Sequence, residues 1–415
     1  MKVLYLVHQF YPEYYTGTEK FVLNMAMMMQ MLGHKVKVVT YSFYGDSFYD
    51  RSDGSILIKE FLYKGIPVVA LRHKEIPGDL GYGLQNKDMA EAAESLISNE
   101  KPDIVHVGHS MRVGEFVKVV RSFGIPYIAT LTDFWLLCPK AVLFTSEGDL
   151  CAGAENGDAC RKLCPEIPGE LVVQRIKSAR GVLFDAKRVV SPSRFVSSMF
   201  RREIRDLNVG IVNHGMSYGK IKKNKKVYKK QDRLTFFYGG SFNHHKGVHV
   251  LIDAFKRVTA DGVSLKVYGS GTDQLYVDAI KDVAKDDKRI EFCSVFSENQ
   301  IGDILANVDV VIVPSLWYEN YPLVLHESLA CNVPVIASNV GGMAEKIKNG
   351  INGFTFQLGK SGHLKETLEM LINNPEILNV LKNNIKNYII PTVEQEAYVY
   401  EKEYKSIYAN QQRNS

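Results

Sequence analysis

Residues 311–330 read VIVPSLWYENYPLVLHESLA, and the strand they continue begins at Val308-Asp-Val-Val-Ile-Val-Pro. β-Branched residues crowd this run and a proline ends it, which predicts a buried strand. The polar-aromatic loop Leu316-Trp-Tyr-Glu-Asn-Tyr-Pro follows, and Leu323 to Ala330 then reads as a helix. Pro322 stands near its first turn, where a missing N–H costs little. Glu319 therefore lies on a loop at the carboxyl end of a strand, and Glu327 a little over one turn into the helix. In an open α/β sheet that crevice, facing helix N-termini, is where nucleotides and phosphates bind. Taken alone, the spacing of the two acids is common and reads as a solvated loop carboxylate and a wet helix face.

The surroundings repeat the strand–loop–helix unit. Leu234-Thr-Phe-Phe-Tyr-Gly-Gly is a strand entering Ser241-Phe-Asn-His-His-Lys-Gly, and a helix runs from Val248 to Val258. Glycines and Lys246 at such a turn make a phosphate cradle from N–H groups, helix dipole and one full charge. Strands follow at Leu265 and Ile290, with a helix from Glu298 to Asn307. In the first half, residues 2–8 give a strand, Phe10 to Gly17 a loop, Thr18 to Leu32 a helix and Lys35 to Tyr41 a strand. That is a βαβ unit, the start of a doubly wound sheet. Its loop lacks G-x-G-x-x-G, so a nicotinamide dehydrogenase fails at its first landmark. His106 falls inside the strand near 104, as a core histidine, and His109 just past its end. A further strand from Pro126 runs into Asp133-Phe-Trp.

The run from Trp317 to Ser338, followed by Gly341-Gly342 and Glu345, resembles the donor-site signature of family 4 glycosyltransferases. The resemblance covers nearly the whole chain, weakly over 1–130 and specifically over 235–360. It implies the GT-B fold: two Rossmann-like domains facing a cleft, and a last helix that crosses back to the first domain. Domain limits follow as 1–212, a basic linker 213–232, 233–390, and a tyrosine-rich helix over 391–415. It also implies a retaining transfer from a nucleotide-sugar donor, with no catalytic metal. The roles it carries over are Glu319 on the transferred sugar, Glu327 on the ribose and Lys246 on the diphosphate. His109 stands where the family contacts the donor sugar. Asn320, Tyr321 and Leu323 belong to the donor loop, Gly17 and Thr18 to the glycine-containing first loop, and Asp133 to the acceptor side. Two positions depart from the pattern: Ser241 where an arginine is usual, and Thr18 where a second glycine is.

Two other functions stay open. One is a sugar-nucleotide 2-epimerase of the same fold. The other is a catalytically weak donor-binding scaffold, for which Ser241 and Pro322 speak.

At 415 residues, with 46% hydrophobic and 23% charged residues, the chain is an ordinary globular one of two or three domains. Residues 1–8 lack a cleavage site and no apolar run reaches the ~20 residues of a span. The expectation is a cytoplasmic protein, peripheral at the inner membrane face, with a glycan or lipid-linked acceptor. The net charge of +5 originates in residues 220–230, which hold seven lysines and no acid. The remainder is mildly acidic, which speaks against nucleic-acid binding. The lysine run reads as a solvated tether that anionic lipid could attract. Four cysteines, Cys138, Cys151, Cys160 and Cys164, punctuate a polar, turn-rich segment. Two readings stand for them: a structural zinc site lacking the usual C-x2-C knuckle, or free thiols.

Overall fold

A computed structural model of the chain describes residues 1–414 apart from 85, 218–220, 298 and 387, and residue 414 by its backbone alone. The chain divides into two compact units, Met1–Gly215 with Val393–Ser415, and Met216–Thr392. No helix among the described residues is long and apolar enough to cross a membrane.

Among the described residues, unit 1 is built on a nine-stranded sheet. Its strands are β1 (Lys2–Val7), β2 (Lys35–Tyr41), β3 (Arg51–Asp53), β4 (Ile56–Tyr63), β5 (Ile66–His73), β6 (Ile104–Val107), β7 (Tyr127–Thr130), β8 (Arg188–Ser191) and β9 (Val209–Ile211). They lie in the order β3-β4-β5-β2-β1-β6-β7-β8-β9. All pair in parallel from β5 to β9, while β3 and β4 add an antiparallel edge. The parallel strands are buried on both faces, which is why they read as continuous apolar runs. The helix Gly17–Met31 covers the sheet with Phe21, Val22, Met25 and Met29.

The last helix, Val393–Asn414, belongs to this unit. Tyr400 and Tyr404 are fully buried, with Tyr404 Oη 3.2 Å from Tyr5 Oη and Tyr400 Oη 3.1 Å from Thr130 Oγ1. His106 bonds Tyr404 through Nδ1 and Thr130 through Nε2, as a core histidine. Glu396 accepts from the Gly215 N–H at 2.7 Å and meets His214 Nδ1 at 2.8 Å. Tyr398, on the same tyrosine-rich helix, is exposed to solvent.

Unit 2 carries a six-stranded parallel sheet among the described residues, ordered β12-β11-β10-β13-β14-β15. The strands are β10 (Thr235–Gly239), β11 (Ser264–Tyr268), β12 (Ile290–Cys293), β13 (Val310–Val313), β14 (Val335–Ser338) and β15 (Gly353–Phe356). The first strand lies beside the fourth, which is the doubly wound arrangement, and its switch point falls between β10 and β13. The helix Val248–Lys256 packs one sheet face with Leu251, Ile252 and Phe255, and Leu323–Ala330 packs the other with Leu325 and Leu329. Glu298, read as a helix start, lies outside the described residues, and the helix described there is Ile301–Ala306.

The tether reading of the lysine run needs correction. Lys220 lies outside the described residues, but the stretch beyond it is bound into unit 2. Asn224 Nδ2 donates to the Val308 carbonyl at 2.7 Å, and the buried Tyr228 donates its hydroxyl to Asp309 at 2.9 Å. Lys226 pairs with the same carboxylate at 2.9 Å, and Lys222 pairs with Asp303. Composition marked the lysines; the asparagine and tyrosine between them decide the conformation.

Candidate functional site

The loops leaving β10 and β13, the two sides of the unit 2 switch point, interlock. Leu316 N–H donates to the His245 carbonyl at 2.8 Å. Gly247, at φ +69°, lies so near the end of β13 that a Cβ there would stand 2.0 Å from the Pro314 carbonyl oxygen. Only glycine allows both the left-handed turn and that approach. The interlock brings Lys246 Nζ to 2.7 Å from Glu319 Oε1. The same oxygen accepts from Ser315 Oγ at 2.7 Å and from Trp317 Nε1 at 2.8 Å. Lys246 Nζ also sits 4.7 Å from the centre of the Trp317 ring, and His245 packs against that indole at the same centroid distance.

Burial alone would raise the Glu319 carboxyl. The charge and hydrogen bond of Lys246, with the Trp317 and Ser315 bonds, outweigh burial and hold it below the ordinary carboxylate range. Burial and then the Lys246 charge push His245 down to about 4, so it stays neutral near pH 7. The Lys246 ammonium on the β10 turn thus finds its countercharge in the loop beside it. Phosphate oxygens entering at this switch point would compete with Glu319 for the ammonium.

The rest of the donor loop is tightly seated. Gly342 N–H donates to the Glu319 carbonyl at 2.7 Å, and a Cβ on Gly342 would stand 2.6 Å from the Asn320 carbonyl oxygen. Tyr321 stacks on His326 at 3.7 Å between centroids, on the first turns of the helix that carries Leu323 and Glu327. Glu327 is half-buried. Ser241 is exposed, and its Oγ accepts from Asn243 Nδ2 at 3.2 Å.

Unit 1 gathers a second polar group at its own switch point, between β1 and β6. The His8 and His109 rings pack with centroids 4.0 Å apart and planes tilted by 33°. His109 Nδ1 accepts the Met111 N–H at 3.2 Å, so its other nitrogen bears the proton and donates to Asp133 Oδ2 at 2.7 Å. Asp133 Oδ1 in turn accepts the Trp135 N–H at 2.7 Å. Both ring nitrogens of the histidine assigned to the donor sugar are thus engaged within unit 1. The fully buried Glu19 accepts from the Thr16 N–H and hydroxyl, and its other oxygen lies 3.6 Å from His8 Nε2. This caps the first helix, leaving Gly17 exposed and Thr18 half-buried in its first turn. Burial, with His109 and Arg112 nearby, holds His8 well below the ordinary imidazole range.

The four cysteines of the polar segment line one small cavity. As the side chains stand, no three histidine, cysteine or carboxylate groups among the described residues are placed to hold a metal ion.

Sequence reasoning named Lys246, Glu319, His109 and Asp133, but not Ser315, Trp317, His8 or Glu19. Trp317 and Ser315 flank Glu319 in sequence, so their donor groups were the available signal. Nothing in the sequence joins His8 to His109 until β1 and β6 are paired.

The family model described as Glycosyltransferase Family 4 matches residues 15–217, and that described as Glycosyl transferases group 1 matches 220–388. An uncharacterised glycosyltransferase of Methanocaldococcus jannaschii is 28% identical over 206 residues, 49% of this chain and 55% of that protein. The lipopolysaccharide 1,2-N-acetylglucosaminetransferase of Salmonella typhimurium is 29% identical over 188 residues, 41% of this chain and 48% of that protein. The chain thus spans about half the length of the curated relatives it matches. Anabaena HepE, solved with UDP and glucose, shares the fold at a TM-score of 0.70 and 16% identity, over 98% of this chain and 100% of that one.

Proposed function

The chain belongs to the family 4 glycosyltransferases, and on that footing we propose that it moves a sugar from a nucleoside diphosphate-sugar to a hydroxyl acceptor, retaining anomeric configuration. The observation that carries this reading is the Lys246–Glu319 pair, seated where the sheet order of unit 2 reverses. A lone acid or a lone lysine there would serve many ligands. A cation beside an ionised, donor-collecting carboxylate suits a ligand that is anionic at one end and polyhydroxylated at the other.

In this proposal Lys246 and the backbone N–H groups of its turn take the diphosphate as charge develops on the leaving oxygen. Glu319 takes sugar hydroxyls and Glu327 the ribose, since a carboxylate accepts two hydrogen bonds from a diol and binds more strongly than a neutral acceptor. Asn320, Tyr321 and Leu323 shape the donor loop. The leaving phosphate oxygen removes the acceptor proton on the face it departs from, so no nucleophilic side chain is required. Unit 1, with His109, Asp133 and the Gly17-Thr18 loop, is assigned to the acceptor and the reacting sugar. That HepE was solved with UDP, and that the Salmonella relative is a lipopolysaccharide transferase, supports a nucleotide-sugar donor and a cell-surface glycan acceptor. An acceptor of that kind, lipid-linked, would bring the enzyme to the inner membrane face.

Titration with UDP-, GDP- and ADP-sugars, with hydrolysis followed on each, tests the reading. One donor series should bind and hydrolyse slowly without acceptor, with the anomer retained. Release of free diphosphate with a 2-epimerised sugar would replace it with the epimerase. Binding with no turnover on any acceptor would replace it with the scaffold.

A further inference from the structure

The segment from Cys138 to Pro168 is a poor candidate for holding its own shape. Its regular structure amounts to the bridge Phe144–Leu150, a single 3-10 turn and the six-residue helix Asp158–Leu163. Its core is Ala154, Cys160, Cys164, Ile167 and Val172, so two of five core residues are cysteines. Four non-glycine residues stand in the left-handed region: Ala141 at φ +64°, Leu143 at +50°, Glu155 at +48° and Asn156 at +57°. Such conformations persist only where surrounding structure imposes them. Small apolar contacts do not supply that imposition here.

The thiols are arranged to do so. Cys138 follows β7 by a loop, Cys151 follows the bridge, and Cys160 and Cys164 lie on and just after the short helix, yet all four line one cavity. The cavity measures about 10 Å³, the room of one water-sized sphere. That suits a single ion and no organic ligand. Beneath it lies Arg175, 3% exposed, which donates to the carbonyls of Tyr82 and Trp135 and stacks 4.1 Å from the Trp135 ring. Its Nη1 has no hydrogen-bond partner. Cys138, Asp133 and Cys160 stand close enough to act on its charge. Asp133 is already bonded to His109 and the Trp135 N–H, so a buried cation with an unspent N–H beside neutral thiols is a net cost. Beside an anionic cluster it is a counterion.

We propose that Cys138, Cys151, Cys160 and Cys164 bind one zinc ion as a tetrathiolate that staples this segment, with Arg175 offsetting its charge. Each thiol gives its proton to solvent and its sulfur lone pair to the metal. The ion and four thiolates carry two net negative charges, and the ligands are of the soft kind that selects zinc. No three of these groups stand close enough to hold an ion as the side chains lie, so binding requires the sulfurs to draw inward from the cavity they line.

The full chain, expressed without a polyhistidine tag and purified without chelator, should carry about one zinc ion. Reconstituted with cobalt(II) under reducing conditions, it should show sulfur-to-cobalt charge-transfer absorption and tetrahedral d–d bands that saturate at about one equivalent. Cys160→Ser should lose the metal, and Cys331→Ser, at a buried thiol in unit 2, should keep it. Arg175→Met should weaken metal affinity by about 10–100-fold, as loss of a partner outside the ligand shell does. A wild-type chain that carries no metal and gives no thiolate–cobalt band overturns the proposal, and so does metal content unchanged by Cys160→Ser. The wild-type cobalt spectrum decides the matter even where a cysteine variant fails to fold.

Discussion

The two switch points make opposite use of polar residues. At the β1–β6 switch of unit 1, His109 and Asp133 spend their hydrogen bonds on one another and on nearby backbone, and Glu19 caps the first helix through one oxygen. Burial keeps His8 neutral, with its Nδ1 and the second Glu19 oxygen left without a hydrogen-bond partner among the described residues. At the β10–β13 switch of unit 2, one carboxylate oxygen gathers three donors, one of them a half-buried ammonium. The first arrangement fixes geometry. The second sets a full positive charge against an ionised carboxylate, the countercharge that a phosphate would have to replace in the proposed reaction. The same sheet topology thus sets a hydrogen-bonded histidine–carboxylate group in one unit and a lysine–carboxylate ion pair in the other.

The largest effect should come from removing the charge that makes this difference. Lys246→Ala should lower kcat by ~10²–10³ with a smaller change in donor affinity, because the interaction strengthens as charge moves onto the leaving phosphate. Lys246→Arg should recover only part of it, the fork being bulkier than an ammonium. Steady-state transfer assays on the native acceptor measure both. Near-full activity in Lys246→Ala would remove the contrast between the two switch points.

Next in size is the division between the two glutamates. Glu327→Ala should weaken binding of the bare nucleoside diphosphate by ~1.5–3 kcal/mol, the cost of a charged hydrogen bond. Glu319→Ala should leave diphosphate affinity unchanged or raise it, since it frees Lys246 from its countercharge; the loss should fall on turnover. Calorimetric titration of the diphosphate into each variant separates the two. Equal weakening by both would refute the assignment.

How much of this was legible follows from sequence separation. β1, β2, β6, β7, β10 and β13 announce themselves as largely buried runs of β-branched and aromatic residues, and the loops after them mark candidate sites. The antiparallel edge did not announce itself. β4 and β5 join through Lys64 and Gly65, both at positive φ, where the usual signal is asparagine or aspartate before glycine. Lys246 and Glu319 could each be named from local pattern, but their pairing spans 73 residues and appears only when β10 lies beside β13. The lysine run misled because charge was counted while Asn224 and Tyr228, its two anchors, were not weighed.

A smaller effect should expose the neutral histidines of unit 1. Burial pushes His106 down to about 3, against about 6.5 in the unfolded chain. The folded state therefore binds fewer protons between these values. The histidine's contribution to stability is full above pH 6.5 and is lost as pH falls toward 3. His106→Gln should flatten the pH dependence of the unfolding free energy between pH 6 and 4 by about one proton, or ~1.4 kcal/mol per pH unit. The slope, and not the level, is the readout, since glutamine lowers stability at every pH. An unchanged slope in denaturant unfolding across that range would show that His106 is not the group that titrates.

The smallest effect should come from restoring the cation that this sequence lacks. Ser241 is exposed at the mouth of the Lys246 turn, with its hydroxyl bonded only to the neighbouring Asn243 among the described contacts. An arginine there would add a second charge toward the diphosphate. It would also remain in water, where such an interaction is worth ~0–1 kcal/mol and is screened by salt. Ser241→Arg should therefore leave kcat/KM between unchanged and about fivefold higher, with the gain shrinking as ionic strength rises. Placed in the Lys246→Ala background, the same change should recover a larger factor than it gives the wild type, because the diphosphate then has no other side-chain cation on that turn. Equal factors in the two backgrounds would mean that positions 241 and 246 do not serve one anion. A loss of more than about tenfold in the single variant would mean that the exposed edge at Ser241 is filled by the ligand itself, and that the missing arginine is an accommodation of this chain's donor.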